Sequence, residues 1–551
     1  MRRSWKIAAI ALFALSLVLG GFFGDRLLAL DKEAREQLHL FTELLAVAQE
    51  AYGGEVTYRD LVVSSIDGMV RTLDPHTTFL TADAYSGMRD RQQSSFYGLG
   101  ILVGMRNGQL TVITPIDGTP AWRLGIRAGD VITAIEGEPT EMMNINEAVR
   151  RLKGPKDTEV QITIARPGLD EEPFDLTVVR DEIPQNTVRY AYMLTPTVGY
   201  MAISDFNRGT GVEVEETLAE LEAQGMESLL LDLRGNGGGL LDQAIAVVEL
   251  FVPKGSKIVE TRGRTRESFQ EYDARDGNRL SELPLVVLVG ENTASAAEIL
   301  AGAIQDHDIG LIVGNPTWGK GLVQTVYSLS YGAGLALTTA KYYTPSGRLI
   351  QRDYSSWFDY ATHSNGTQVA EEGDELGEND GVVAVEAYLT DLGREVYGGG
   401  GITPDVKVEP DEVSTFAQFL LSRNALFDFA VEWANNHPIE EATWEPPAEL
   451  LDRFSAWLAE NELATEDEIA EGLEDTETQE FVRRRIHAEI FNSAFGLESR
   501  HQVLAKGDPQ IQEALSLFGQ ATELLAKRKR LEDEEERAET DERQDAVGVG
   551  N

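Results

Sequence analysis

Between residues 31 and 72 apolar side chains recur at helical spacing, first as Leu38, Phe41, Leu44, Leu45 and Ala48 and then as Leu61, Ile66, Met69 and Val70. The spacing predicts two amphipathic helices, stopped at Asp74-Pro75-His76. From about Ser95 the period shortens to two. Apolar alternation over 97–103, 110–113, 131–135 and 160–164, broken by glycine turns, predicts a small β-rich module over 95–183. Beyond Pro184 the two periods alternate. Ser228 to Leu233 reads as a buried strand and Leu240 to Phe251 as a helix after a glycine-rich turn. A strand from Leu285 to Gly290, a helix from about Ala296 to Gln305 and a strand from Ile309 to Val313 repeat the plan. Successive strand–turn–helix units imply a parallel sheet whose turns share one edge, where chemistry collects. The polar, acidic stretch 363–380 is expected as an exposed insertion. Helical periodicity returns from about Val413, and the tail over 531–551, dominated by Glu, Asp and Arg, is expected as a solvated helix end or disorder.

The first thirty residues stand apart. Arg2, Arg3 and Lys6 precede an apolar run over 7–24, long enough to cross a hydrocarbon layer. No small-x-small cleavage site follows Gly24, which favours an uncleaved anchor over a cleaved signal peptide; a buried core helix is the bland alternative. The basic residues before the run would stay cytoplasmic, leaving the rest of the chain outside the inner membrane, in the periplasm.

Composition narrows the chemistry. At 551 residues and 42% hydrophobic the chain holds several domains. It has no cysteine, which excludes disulfides, thiolate metal sites and a cysteine nucleophile. The formal charge of −44, from 92 acidic against 48 basic residues, repels phosphate backbones, so nucleic acid is not an expected partner. None of the seven histidines falls in an HExxH spacing, no metal-ligand cluster stands out and no cofactor is expected.

Two turns carry candidate chemistry. Glu291-Asn292-Thr293-Ala294-Ser295-Ala296-Ala297-Glu298 joins a strand to a helix through small residues. Ser295 with Glu298 fits a helix capping box, the structural alternative to a nucleophile. A nucleophilic serine needs a base, and no histidine sits in a comparable turn. Lysine can serve when its amine is neutral near pH 7, which requires a pKa about 3 below its usual ~10.4, at a cost of about 4 kcal/mol. Lys320 lies between Gly319 and Gly321 and is flanked by Trp318, Leu322 and Val323, an apolar setting for a turn lysine. The stretch from Gly314 to Gly321 also matches most of a phosphate loop, but Gly321 lacks the Mg²⁺-binding hydroxyl and the continuation 322–327 reads as a strand, not a helix. The turn 232–239, Asp-Leu-Arg-Gly-Asn-Gly-Gly-Gly, sets bare amides at a helix N-terminus, suited to an oxyanion or simply a flexible turn.

Together these segments resemble the C-terminal processing (tail-specific) peptidases. The likeness runs from about Asp74 to Asp405 and rests on the order of several motifs: Asp74 to Leu80, Ala128-Gly129-Asp130, the turn 232–239, the serine turn, Gly319 to Gln324, Tyr343 to Arg348 and Gly398 to Asp405. The resemblance implies a multidomain α+β fold, with a PDZ domain inserted before an α/β protease core of repeated strand–turn–helix units, and helical regions at both ends. The expected boundaries are 1–30 for the anchor or signal peptide, 31–94 for the N-terminal helices, 95–183 for the PDZ domain, 184–410 for the core, 411–530 for the C-terminal helices and 531–551 for the tail.

The resemblance implies Ser295 as nucleophile, Lys320 as base 25 residues later (320 − 295 = 25) and Gln324 as the residue that positions them. It implies an oxyanion site from the Ala296 amide with Gly238 or Gly239. Many relatives carry a second serine two places after the nucleophile; here that place is Ala297, which removes the ambiguity. Thr293 remains a weaker candidate. Tyr97, Gly98, Leu99, Gly100 and Ile101 resemble a PDZ carboxylate-binding loop, implying protein substrates held by their C-termini. A homodimer through the terminal helices is also implied. Two other classes stay open at this point: an inactive scaffold that binds C-termini, and an ATP-driven machine using the loop from Gly314 to Gly321.

Overall fold

The computed structural model describes residues 32–167, 172–275, 280, 282–354 and 386–548. The expected anchor over 7–24 and the insertion over 363–380 lie outside the described residues. No helix among the described residues is long and apolar enough to cross a membrane.

The chain divides into two compact units, the first comprising the described residues up to Thr81 together with 326–337. In it the two predicted helices run over Lys32–Ala51 and Tyr58–Val70. Thr57 starts the second by accepting from the Asp60 amide (3.1 Å), while the Asp60 carboxylate accepts from the Thr57 amide (3.3 Å). Asp74 builds the stop: its carboxylate accepts from the amides of His76 (2.8 Å) and Thr77 (2.7 Å) and from the Thr77 hydroxyl (2.6 Å). The strand Thr78–Leu80 then pairs antiparallel with 334–336. The helix Ala82–Arg91 belongs to the second unit.

In the second unit the β-rich module is a sheet in the order Ile101–Arg106, Gln109–Pro115, Val131–Ile135, Glu159–Ala165, Phe174–Val179, all neighbours antiparallel. Its core is the inward half of each alternation, with Leu110, Val112, Ile132, Ile135, Val160, Ile162, Ile164 and Val178 buried. A short pair, Ser95–Gly98 with Asp181–Pro184, closes the module where the chain enters and leaves.

The larger sheet has the order Val188–Met193, Val198–Ile203, Ser228–Asp232, Leu285–Val289, Gly310–Gly314, Val406–Lys407. The first two strands form an antiparallel hairpin and the rest run parallel. Its central strands are unbroken apolar runs because both faces are covered. Leu229, Leu231 and Val287 point to the helices Thr210–Ala223, Leu241–Glu249 and Ala296–Asp306. Leu230, Val286 and Leu288 point the other way, onto Ile511, Ala514, Leu517 and Ala521 from the C-terminal helices.

The C-terminal region therefore has two jobs. Its last part, helices Leu497–Ala505, Pro509–Ser516 and Phe518–Gly548, forms the second helical layer of the sheet. The preceding helices, from Thr415–Ser422 to Thr476–Phe495, bury their own core around Phe429, Phe454 and Ile486 and lie against the β-rich module. There the Arg106 guanidinium sits 3.8 Å over the Phe427 ring, and a Cβ on Gly129 would come within 2.4 Å of Val431. Residues 531–548 of the tail expected as a helix end or disorder continue the helix Phe518–Gly548.

Candidate active site

Three turns leave the carboxyl ends of neighbouring parallel strands: a glycine turn over 232–239, a serine turn over 290–295 and a lysine turn over 315–321. Their shared edge is where an open parallel sheet presents a ligand.

Ser295 ends its turn at φ 56° and ψ −116°, immediately before the helix Ala296–Asp306. Ordinary caps in this chain, Thr57 (φ −100°, ψ 154°) and Asn144 (φ −78°, ψ 160°), take extended backbone. A non-glycine residue in the positive-φ region costs about 1–3 kcal/mol, and a sharp strand-to-helix turn of this kind projects its side chain over the sheet edge. Half of the expected capping pair forms: the Glu298 carboxylate accepts the Ser295 amide (2.7 Å), while the Glu298 amide goes to the Ser295 carbonyl oxygen (2.9 Å).

Glu298 does more than cap. Fully buried, its carboxylate also accepts from the Thr317 hydroxyl (2.5 Å) and from the amides of Gly319 (2.7 Å) and Lys320 (2.9 Å). Burial raises its pKa, and the hydrogen bonds pull the other way. One carboxylate thus ties the serine turn to the lysine turn. Two further links follow: the Trp318 amide donates to the Thr293 carbonyl (2.9 Å), and the Tyr342 hydroxyl touches the carbonyls of Ser295 (2.9 Å) and Lys320. The Lys320 Nζ lies 2.9 Å from Gln324 Oε1.

The same contacts dispose of the phosphate loop. The amides of Gly319 and Lys320, which would face a phosphate, hold the protein's own Glu298, and the segment that follows is the strand Leu322–Ser328. Three histidines among the described residues are engaged elsewhere. His307 lies beyond the far end of the 11-residue helix that starts after Ser295, bonded to Asp391 (2.7 Å) and to the Lys257 carbonyl (2.6 Å). His501 packs against Tyr190, Tyr192 and Tyr200, and His487 against Trp444 and Phe491.

The glycine turn presses on the nucleophile. A Cβ on Gly238 (φ 100°) would lie 2.8 Å from the Ser295 Cβ and 2.9 Å from the Ala296 amide nitrogen. Gly238 and Ala296 are therefore side by side, as an oxyanion pair requires. The Gly238 N–H, however, donates to Asn236 Oδ1 (2.8 Å), which commits it within the turn. Asn236 holds the turn in place, its side-chain amide donating to the Ile203 carbonyl (2.9 Å) and its backbone carbonyl accepting from the Ala294 amide (2.9 Å). Thr293 is fully buried and its hydroxyl donates to the Leu233 carbonyl (2.8 Å), a packing role.

Motifs from farther along the chain support these turns. Arg348, fully buried, donates to Gln305 and Asp306 (both 2.7 Å) at the end of the helix that Ser295 starts. A Cβ on Gly401 (φ 88°) would meet the Thr317 carbonyl at 2.5 Å, so the segment 398–405 packs directly on the lysine turn.

In the β-rich module, Leu99 is buried and Tyr97 is exposed. The carbonyls of Leu99 and Gly100 accept from the amides of Ala121 (3.0 Å) and Ile116 (2.8 Å). Gly100 (φ 78°) lies so close to Thr119 that a Cβ would come within 2.2 Å of it. Ile101 opens the strand Ile101–Arg106, which ends the sheet order and so is an edge strand.

Two contributors were hidden from sequence reasoning. Tyr342 carries no local signal. Glu298 did carry one beyond its capping spacing: it is an acid in the first turn of a helix whose every residue is buried, a place where a carboxylate must gather donors.

The model of peptidase family S41 matches residues 197–354, and that of the PDZ domain matches residues 111–166. A carboxy-terminal-processing protease of Bartonella bacilliformis is 38% identical over 325 residues, 58% of this chain and 74% of the relative. A carboxyl-terminal-processing protease of Synechocystis is 39% identical over 304 residues, 53% of this chain and 69% of the relative. With a fold that sets the serine and lysine turns side by side, and relatives this similar over most of their own length, the chain belongs to the carboxy-terminal-processing proteases of peptidase family S41.

Proposed function

We propose that the protein is a serine endopeptidase that captures the C-termini of other proteins in its PDZ domain and cuts them with Ser295 and Lys320. The observation that carries this reading is the joint hold of Glu298 on the Ser295 amide (2.7 Å) and the Lys320 amide (2.9 Å), with Gln324 on the lysine Nζ (2.9 Å).

In the first step neutral Lys320 takes the Ser295 hydroxyl proton and Oγ bonds to the substrate carbonyl carbon. The oxyanion forms against the amides of Ala296 and Gly239, because Asn236 already engages that of Gly238. The carbon–nitrogen bond then breaks and the leaving amine takes the proton from Lys320. Water gives a proton to Lys320 and attacks the ester carbon; the bond from that carbon to Oγ then breaks, the acyl product leaves as a carboxylic acid, and Ser295 Oγ takes the proton back from Lys320. Gln324 orients the amine throughout.

Capture of the substrate rests on the loop 97–101 and the edge strand Ile101–Arg106, to which an extended peptide can add as a further strand. The apolar run over 7–24 supports an anchor in the inner membrane with the enzyme in the periplasm.

The test is hydrolysis of fluorescein-labelled β-casein without nucleotide. Ser295→Ala and Lys320→Ala should each lower kcat by about 10³-fold or more while the protein stays folded. Undiminished cleavage by either variant sinks the dyad.

A further inference from the structure

The glycine turn has a second anchor on the opposite side from Ser295. Arg234, inside the turn, forks onto Asp232 at the end of its own strand (Nη2 to Oδ2, 2.7 Å; Nε to Oδ1, 3.1 Å). Its remaining nitrogen, Nη1, reaches Asp508 Oδ2 (2.8 Å) and Gln510 Oε1 (2.7 Å), more than 270 residues downstream. The planar guanidinium suits this task, since its fixed fork can satisfy several acceptors at once where a lysine cannot.

Gln510 also faces the lysine turn. Its Nε2 donates to Asn315 Oδ1 (3.0 Å), at the start of the segment leading to Lys320, and to the Val408 carbonyl (2.7 Å). One buried amide thus touches both the turn that carries the oxyanion glycines and the turn that carries the base. Asp508 is doubly used as well. Its Oδ1 caps the helix Pro509–Ser516 by accepting from the amides of Gln510 (2.9 Å) and Ile511 (3.1 Å), leaving Oδ2 for Arg234. Ile511 and Ala514 of that helix are buried against the far face of the sheet, on Leu230, Val286 and Leu288. The helix start is therefore fixed by packing to the strands from which the turns emerge.

We propose that Asp508 and Gln510 are positioning residues for hydrolysis, a clasp by which the C-terminal helices hold the glycine turn and the lysine turn in register. The proposal rests on the function proposed above and assigns those helices a part in it. Glu298 joins the serine and lysine turns from within the site, and the clasp sets the third turn against them from outside. A displacement of about 1 Å between oxyanion donors and nucleophile is enough to cost ~10²-fold in rate.

The experiment compares full-length Asp508→Asn, Gln510→Met and the double variant with wild type, using fluorescein-labelled β-casein and thermal unfolding followed by circular dichroism. Asp508→Asn keeps a good helix cap but turns an amide toward Arg234; Gln510→Met keeps the volume and removes all three side-chain hydrogen bonds. Each single change should lower kcat about tenfold or more with KM within about twofold, and the double variant should lose less than the product of the two because they share one guanidinium. Wild-type kcat in folded variants overturns the clasp, as does a rise in KM alone. If Gln510→Met fails to fold, Asp508→Asn decides. A dead Ser295→Ala beside fully active clasp variants overturns the clasp alone, whereas activity surviving Ser295→Ala removes the proposed function and the clasp with it.

Discussion

The serine turn and the glycine turn leave adjacent strands and meet at the same edge, yet they are held by different means. Around Ser295 the hold is short-range in the chain: Glu298 lies three residues on and reaches Thr317, Gly319 and Lys320, about twenty residues away, with its whole carboxylate buried. The glycine turn is held by Asn236 from within and by Asp508 and Gln510 from far along the chain. The difference matters because the serine turn must store strain, with Ser295 at φ 56°, whereas the glycine turn must stay open to a substrate while keeping its amides aimed. A buried acid with four donors resists distortion locally; an open, glycine-rich turn has few side chains with which to resist and, through Arg234, borrows rigidity from a packed helix.

The contrast can be broken most severely at its inner end. Glu298→Gln leaves an amide where four donors converge, so about two of them lose an acceptor, a loss of roughly 2–4 kcal/mol of stability. A kcat reduced at least about hundredfold is expected, read from β-casein hydrolysis and the unfolding midpoint together; a fully active, equally stable variant would falsify the joining role of the carboxylate.

Next in size is Gly238→Ala. Its φ of 100° and the 2.8 Å approach to the Ser295 Cβ mean that a methyl group must push the two turns apart. A fall in kcat of about tenfold to hundredfold should accompany a stability loss of about 1–3 kcal/mol. Retained kcat would show that the turns are less tightly apposed than these distances require.

The smallest effect separates stability from catalysis. His501, on the outer helix Leu497–Ala505, is half-buried among Tyr190, Tyr192 and Tyr200, with Asp232, Asp508, Arg234 and Arg500 around it. Burial is the main cause that lowers its pKa from 6.5 to about 4, with Arg234 and Arg500 adding to the shift and Asp232 and Asp508 opposing it. Because the unfolded chain takes up this proton first, the stabilisation is complete above about pH 6.5 and fades as pH falls toward about 4. Unfolding midpoints measured across that window should decline in wild type and decline less in His501→Gln, with kcat at neutral pH little changed. An identical slope in both proteins excludes His501 as the source.

Much of the scaffold was readable before any coordinates. The strands Ser228–Asp232, Leu285–Val289 and Gly310–Gly314 and the helix Ala296–Asp306 fall within a residue or two of where periodicity put them, because unbroken apolar runs bounded by glycine turns have few other solutions. The antiparallel hairpin at the sheet's first edge, Val188–Met193 with Val198–Ile203, was not legible; an apolar strand carries no mark of its direction. The division of labour in the C-terminal region was equally hidden, since a helical period says which face is buried but not against what.

What the sequence determined by itself is local: a strand, a turn of small residues, a serine and a helix in that order, a lysine between glycines 25 residues later, and a module alternating with period two. Each follows from steric and hydrophobic preferences that act over a few residues. Tertiary structure alone decided that Glu298 serves two turns, that Tyr342 spans them, and that Arg234 finds Asp508 and Gln510 across about half the chain. Such contacts depend on where packed layers bring backbones together, and hydrogen bonds between residues so far apart in sequence leave no periodic trace by which they could be read.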